Sequence, residues 1–264
     1  MNILYIGDIM AEPGIEVVDK VLSNHLIKHK VDLIIAQAEN VSEGRGITKQ
    51  DYDRLKKLGI GFFTGGNWTM HRQEIYGALS SPSEPIIRPA NYSHDTPGLG
   101  YKYIKLKDQS VLVISLLGSI VGKDADKPKL NPLVTVDKIL SETQATKPDA
   151  IIVNFHGDYS SEKVIIGYYL DGRVSAVIGD HWHVPTADAR ILTNGTAHIS
   201  DVGMCGTLNS SLGVSFDSVI TRWRDGIATR NKIETTGPKQ FNAVLIETET
   251  SNKSKSIQPI QFLI

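Results

Sequence analysis

The chain has a single cysteine, Cys205, in 264 residues. An intrachain disulfide is therefore excluded, which suits a reducing compartment. Cys205 reads as a buried, inert thiol ahead of a redox or metal-binding one. Long apolar runs are missing too. No stretch approaches the roughly 20 residues of a membrane span. The opening run Met1-Asn2-Ile3-Leu4-Tyr5-Ile6-Gly7-Asp8 is too short for a signal peptide and lacks a basic leader. The expectation is a soluble, cytoplasmic protein. Nor is there an excess of charge: 28 Lys and Arg stand against 29 Asp and Glu, a formal net charge of −1. Without a bulk field, neither duplex nucleic acid nor a membrane is an expected partner, and an anionic ligand must be held by a local site. No glycine-rich phosphate loop ending in lysine occurs, and no Ser-His-Asp triad stands out. Repeats, low-complexity tracts and linkers are lacking as well, so residues 1–264 read as one domain.

What the chain does have is a set of short, continuous apolar runs, within a hydrophobic content of 41%. Asn2–Gly7, Val31–Ala38, Gly59–Thr64, Val111–Leu116, Ala150–Phe155 and Val174–Ile178 are rich in Ile, Val, Leu and Phe. They close on Gly, Asp or Asn, the pattern of strands. Unbroken apolarity, rather than alternation, predicts strands covered on both faces, and so an α/β fold. Ile15–His29 predicts a helix with Val17, Val18, Val21, Leu22 and Leu26 on one face. Gln50–Leu58 and Ser161–Leu170 predict two more, the last with Ser160 or Ser161 as N-cap. Phe241–Glu249 and Ser256–Ile264 predict a hairpin joined through Thr250–Lys255. Val121–Pro132, rich in Lys, Asp and Pro without periodicity, predicts an exposed connection, with a lid as the less favoured reading.

The chemistry lies just after the apolar runs. The first ends at Asp8, the second at Glu39-Asn40, the third at Gly65-Gly66-Asn67. Two later ones end at His156-Gly157-Asp158 and Gly179-Asp180-His181-Trp182-His183. In open α/β sheets, ligands bind at the carboxyl ends of strands, where the loops converge. Asp8, Glu39, Asn40, Asn67, His156, His181 and His183 are thus candidate metal ligands from five strand ends. Singly, Asp8 could be a cap or turn residue, Asn67 a turn residue and His156 a hydrogen-bonded core histidine. The His181-x-His183 pair is more specific, because alternate residues of an extended segment project to one side. Together the seven exceed the needs of one tetrahedral ion. Carboxylate, amide and imidazole without thiolate suit Mn, Fe or Zn. Two ions about 3.5–4 Å apart, bridged by one carboxylate and a hydroxide, would use the whole set and supply that hydroxide as nucleophile near neutral pH. Glu39 is the natural bridge. The reaction this inventory suits best is two-metal phosphoester hydrolysis.

The order Gly7-Asp8, Glu39-Asn40, Gly66-Asn67, Asn154-Phe155-His156 and Gly179 through Asp188 resembles the YmdB-like metallophosphoesterases, a bacterial branch of the calcineurin-like phosphoesterases. The likeness extends to Arg88-Pro89-Ala90-Asn91-Tyr92, Thr96-Pro97-Gly98, Ser161-Glu162-Lys163, Asp171-Gly172-Arg173 and Asp201-Val202-Gly203-Met204. The resemblance implies an α/β/β/α sandwich of two β-sheets flanked by helices. It also implies two divalent ions, iron or manganese, and phosphodiesterase activity on 2′,3′- or 3′,5′-cyclic nucleotides. Asp8, Asn40 and His183 would take one ion, Asn67, His156 and His181 the other, and Glu39 would bridge them. Met10 stands where the wider superfamily has a histidine, a position at which the YmdB-like branch also lacks it.

A second departure is more consequential. The family places a proton-donating histidine directly after the third-strand asparagine, where this chain has Trp68. An indole N–H does not exchange usefully as an acid, and losing a general acid costs roughly 10²–10⁴-fold. His71 is a weak candidate substitute, with a surface or supporting role preferred. Trp68 reads equally as packing or as a substrate contact. Asp180 could orient an imidazole or be solvated. Asn154 removes a charge that the family pattern carries, and Asp180 and Trp182 replace small hydroxyl residues. Arg45 could reach a phosphate, although a solvated turn is preferred; for Lys163, a helix-surface role is preferred to a substrate contact. Asp201 could buttress a ligand histidine, and Gly65-Gly66 allow close backbone approach. The leading expectation is a phosphodiesterase whose partner is a small phosphoester or nucleotide. The alternatives are a metal- and nucleotide-binding regulatory protein on the same scaffold, weakened at Trp68, and a monophosphate phosphatase. The oligomeric state, a homo-oligomer included, is left open.

Overall fold

The computed structural model describes residues 1–24, 27, 29–122, 129–249 and 251–264. From the N-terminus run β1 (Asn2–Ile6), β2 (Asp8–Ile9), α1 (Ala11–Ser23), β3 (Leu33–Gln37), α2 (Lys49–Lys57), β4 (Phe62–Thr64) and α3 (Tyr76–Ser80). The middle of the chain forms β5 (Tyr101–Leu106), β6 (Gln109–Leu117), α4 (Pro132–Thr143), β7 (Ala150–His156), α5 (Ser160–Tyr169) and β8 (Ala176–Asp180). The last third adds β9 (Arg190–Ile191), β10 (Ala197–Ile199), β11 (Met204–Thr207), α6 (Phe216–Asp225), β12 (Lys239–Thr248) and β13 (Ser254–Leu263).

The described strands form two sheets. One has seven strands in the order β2-β11-β12-β1-β3-β4, with β13 also paired to β12; the other has six, ordered β5-β6-β7-β8-β10-β9. Side chains alternate across a strand, and that alternation separates three apolar layers. In β1, Ile3 and Tyr5 enter the core between the sheets, whereas Leu4 and Ile6 face the core shared with α1 and α2. In β7, Ala150 and Ile152 meet the same inter-sheet core, and Ile151, Val153 and Phe155 face α4 and α5. Both faces of these strands are buried, which is why their sequence runs are continuously apolar. The architecture is the expected α/β/β/α sandwich. No helix of the described residues is long and apolar enough to cross a membrane.

Several boundaries differ from the sequence expectation. The first helix spans Ala11–Ser23, with Pro13 in its first turn, and ends at Asn24 rather than at His29. Leu26, expected on its apolar face, lies outside the described residues. Thr48 caps α2 by accepting from the Asp51 N–H. Neither Ser160 nor Ser161 caps α5: Tyr159 occupies that position without a side-chain bond. The first turn is anchored instead through Glu162, which accepts from the backbone N–H and hydroxyl of Ser119. Half of the exposed connection expected over Val121–Pro132, residues 123–128, lies outside the described residues, and its last residue already begins α4. The terminal hairpin is antiparallel, β12 on β13, with a register shift at Glu247/Thr248; its Thr250 is not described. Cys205 is fully buried, and burial pushes its thiol up to about 12.

Candidate metal centre

β1, β3 and β4 are mutually parallel, as are β6, β7, β8 and β10. The residues that follow or finish these strands in the two sheets meet at one edge of the sandwich. Asp8, Glu39, Asn40, Asn67, His156, Asp180 and His183 are buried there, and His181 is half-buried. Glycine makes the approach feasible. A Cβ on Gly66 would collide with the Glu39 carboxylate and the His156 ring, so this backbone sits closer to the site than any other residue type allows.

Two groups of side chains form. In the first, Asn40 Nδ2 donates to Asp8 Oδ1 at 2.9 Å and faces His183 Nε2 at 3.2 Å; His183 Nε2 lies 3.7 Å from Asp8 Oδ2. His183 Nδ1 donates to the Leu212 carbonyl at 3.2 Å, which leaves the ring lone pair on Nε2. In the second, His156 Nδ1 donates to Asp180 Oδ1 at 2.6 Å. Its Nε2 faces Glu39 Oε1 at 2.9 Å and Asn67 Oδ1 at 3.0 Å. The His181 ring lies edge-on to His156 at 4.4 Å between centroids. Glu39 touches both groups, because Asn40 Nδ2 reaches its Oε1 at 3.4 Å. The Trp68 backbone N–H holds the other carboxylate oxygen at 2.8 Å.

These atoms fit a cation. His156 Nε2 converges with the acceptors Glu39 Oε1 and Asn67 Oδ1, and the proton that bridges them without a metal is one that a divalent cation would displace. Asp8 Oδ2 is buried without a hydrogen-bond partner among the described residues, a costly state for a carboxylate oxygen. Burial, then the Glu39 and Asp180 carboxylates, raise the Asp8 pKa well above the usual range. Burial opposes protonation of His156, but Glu39 and Asp180 outweigh it and raise its pKa well above the ordinary value. Buried negative charge of this density is stabilised by metal coordination. Ligand atoms of Glu39, His156 and His181 lie within 4.8 Å of one another, as do those of Asp8, His156 and Asp180. The second of these groups is the poorer one. Asp180 already accepts from Tyr5 Oη, Gln37 Nε2, Asn154 Nδ2 and His156 Nδ1, so it orients the imidazole rather than offering free lone pairs.

Several supporting residues differ from their sequence reading. Asp180 follows the first of its two readings, being fully buried and orienting the His156 imidazole, while its partners Tyr5 and Gln37 gave no signal beyond lying in apolar runs. Lys163 is neither on the helix surface nor at a substrate. It is buried, paired with Asp201 at 2.9 Å, and donates to the carbonyls of Asp180 and Ser200. Asp201 in turn accepts from the Trp182 N–H at 2.8 Å, so it buttresses the turn carrying His181 and His183. Both histidines have positive φ, 109° and 63°, a backbone strain that surrounding contacts must hold. Arg45 is not merely in a solvated turn; its guanidinium lies 4.7 Å from the centroid of the Trp68 ring. His71 sits beyond Trp68, rings edge-on at 5.5 Å.

A two-sheet sandwich with carboxylates, amides and imidazoles gathered at one sheet edge defines the class: the fold is that of the calcineurin-like metallophosphoesterases. A family model described as YmdB-like protein matches residues 4–260, and the chain belongs to that family. It is 34% identical over 264 residues to the 2′,3′-cyclic-nucleotide 2′-phosphodiesterase of Bacillus subtilis strain 168, covering 100% of this chain and 97% of the relative. A hypothetical protein from Thermus thermophilus superposes with a TM-score of 0.90 at 34% identity, covering 100% of this chain and 99% of that one. A novel phosphatase from Mycoplasma pneumoniae superposes with a TM-score of 0.91 at 26% identity, covering 100% and 93%.

Proposed function

We propose that the chain is a dinuclear, divalent-metal phosphodiesterase that hydrolyses small nucleotides, with 2′,3′-cyclic phosphodiesters as the first class to test. Membership of the family and the phosphoesterase names of its relatives support a phosphoester hydrolase. The observation that carries the metal reading is the convergence of His156 Nε2, Glu39 Oε1 and Asn67 Oδ1 beside the unpartnered Asp8 Oδ2. Asp8, Asn40 and His183 would hold one cation and Asn67, His156 and His181 the other, with Glu39 between them. Asn40 would offer its amide oxygen, which requires the amide to turn over from the orientation in which Nδ2 faces Asp8. Iron or manganese suits this thiolate-free set. Bound divalent cations supply Lewis-acid neutralisation of phosphoryl charge and lower the pKa of water to roughly 7.

The chain's own groups position that chemistry. Asp180 keeps the hydrogen of His156 on Nδ1, so that Nε2 stays available. The Trp68 N–H fixes one oxygen of Glu39. Trp68 occupies the proton-donor position of the family without an acid to offer, so the leaving oxygen must depart with less help. That substitution favours the second reading, a weakly hydrolytic nucleotide-binding protein. Turnover of bis-p-nitrophenyl phosphate and 2′,3′-cyclic AMP with Mn²⁺ separates the two. Activity abolished by Asp8→Ala supports the enzyme; activity no greater than that of Asp8→Ala, with nucleotide still bound, supports the binding protein.

A further inference from the structure

The metal centre opens into a cleft of about 1030 Å³, at the upper end of the roughly 300–1,000 Å³ of small-molecule sites. A smaller depression lined by Glu39, Asn40, His181 and His183 shares Arg45, Trp68, Arg222 and Asn231 with it, so centre and cleft are continuous. Four of the nine arginines in the chain, Arg45, Arg72, Arg222 and Arg230, line this one cleft. For a protein of net charge −1 that is a concentrated cationic field. Its acidic lining residues are already engaged: Glu43 pairs with Arg72 at 2.8 Å, and Asp158 with His181 at 3.2 Å. The remaining guanidinium groups are not matched by a carboxylate among the described residues. Arg45 lies over Trp68, Arg222 donates to the Asn231 side chain at 2.7 Å, and Arg230 is exposed, lining the cleft but not the depression at the centre.

An aromatic face backed by a guanidinium, followed by two further arginines, is the arrangement that stacks a base and then tracks a phosphate backbone. Resting on the phosphodiesterase reading above, we propose that the preferred substrate is not a free mononucleotide. It is the 2′,3′-cyclic phosphate end of a short oligoribonucleotide, with the terminal base against Trp68 and Arg45 and the next phosphate held by Arg222 and Arg230. Hydrolysis at the end opens one P–O bond of the cyclic diester as water adds its oxygen to phosphorus. The displaced ribose oxygen takes up a proton from solvent, and the product is a terminal phosphomonoester.

The test compares adenosine 2′,3′-cyclic phosphate with the dinucleotide ApA ending in the same cyclic phosphate, using Mn²⁺-loaded protein. The dinucleotide should have a kcat/KM at least about tenfold higher, carried mainly by KM and shrinking as salt rises. Arg230→Ala and Arg222→Ala should each reduce that advantage toward parity, and Arg230→Lys should retain part of it. Equal kcat/KM for the two substrates, or an advantage that both alanine variants leave intact, overturns the inference while the phosphodiesterase reading stands. Hydrolysis of neither sinks the phosphodiesterase reading, and the inference is then read from binding alone: about tenfold tighter binding of the dinucleotide supports it, and parity overturns it.

Discussion

On the proposed reading, Trp68 limits the assistance that the leaving oxygen receives. The structure places it on the wall of the cleft, its backbone N–H on Glu39 and its ring under Arg45. Trp68→His should raise turnover of 2′,3′-cyclic AMP by about 10- to 10²-fold. The same change should do far less for bis-p-nitrophenyl phosphate, whose leaving group needs no proton. Equal gains on both substrates would contradict this account. Gly66→Ala tests the geometry directly, since its Cβ would meet the Glu39 carboxylate and the His156 ring. It should weaken Mn²⁺ affinity by about 10–100-fold, the scale of losing a supporting contact, with the far-ultraviolet circular dichroism unchanged; unchanged affinity in calorimetric titration would count against the site. At this scale the sequence is informative where a polar residue directly follows an apolar run. Glu39, Asn40, Asn67 and His156 are found that way, and the structure brings them together. Asp180 is harder to read, because a carboxylate after a strand usually meets water. Here Gly179 lets the Ser200 backbone press close, and four donors from β1, β3 and β7 surround it.

The turn after β8 is the element on which both later histidines depend. Its positive φ values at His181 and His183 are held from below by Lys163 and Asp201, a fully buried pair. Lys163→Met leaves Asp201 buried and uncompensated, which should destabilise the protein by about 3–5 kcal/mol, measurable by urea denaturation. The companion variant Lys163→Arg should recover part of that loss. A cost below about 1 kcal/mol would mean that the pair does not support the turn. No periodic signal announces such a lysine, since charged helix residues are ordinarily solvated. Some elements are readable in the sequence and others are not. Asn131-Pro132 carries a helix-start signature, N-cap followed by proline, which reading Val121–Pro132 as a connection passed over; the Asn131 side chain accepts from Leu133 and Val134 at the start of α4. β9, β10 and β11 have only two to four residues each, too few to show a period. They exist because neighbouring strands pair with them.

For the whole molecule, the sandwich closes around an edge rich in buried carboxylates, so folding without cations carries an electrostatic cost. Metal that binds the folded chain alone stabilises it by mass action, about 2.7 kcal/mol at a hundredfold excess over Kd. Exhaustive chelation should therefore lower Tm by several degrees, and Mn²⁺ should restore it. Asp8→Ala should show a smaller response to both. A Tm indifferent to chelator and Mn²⁺ in the wild-type protein would contradict a metal-linked fold edge. The most direct measurement is metal stoichiometry by elemental analysis after reconstitution with Mn²⁺ and removal of the excess. Close to two equivalents per chain are expected, falling in Asp8→Ala. Protein that retains no transition metal, and binds none when it is added, would contradict it.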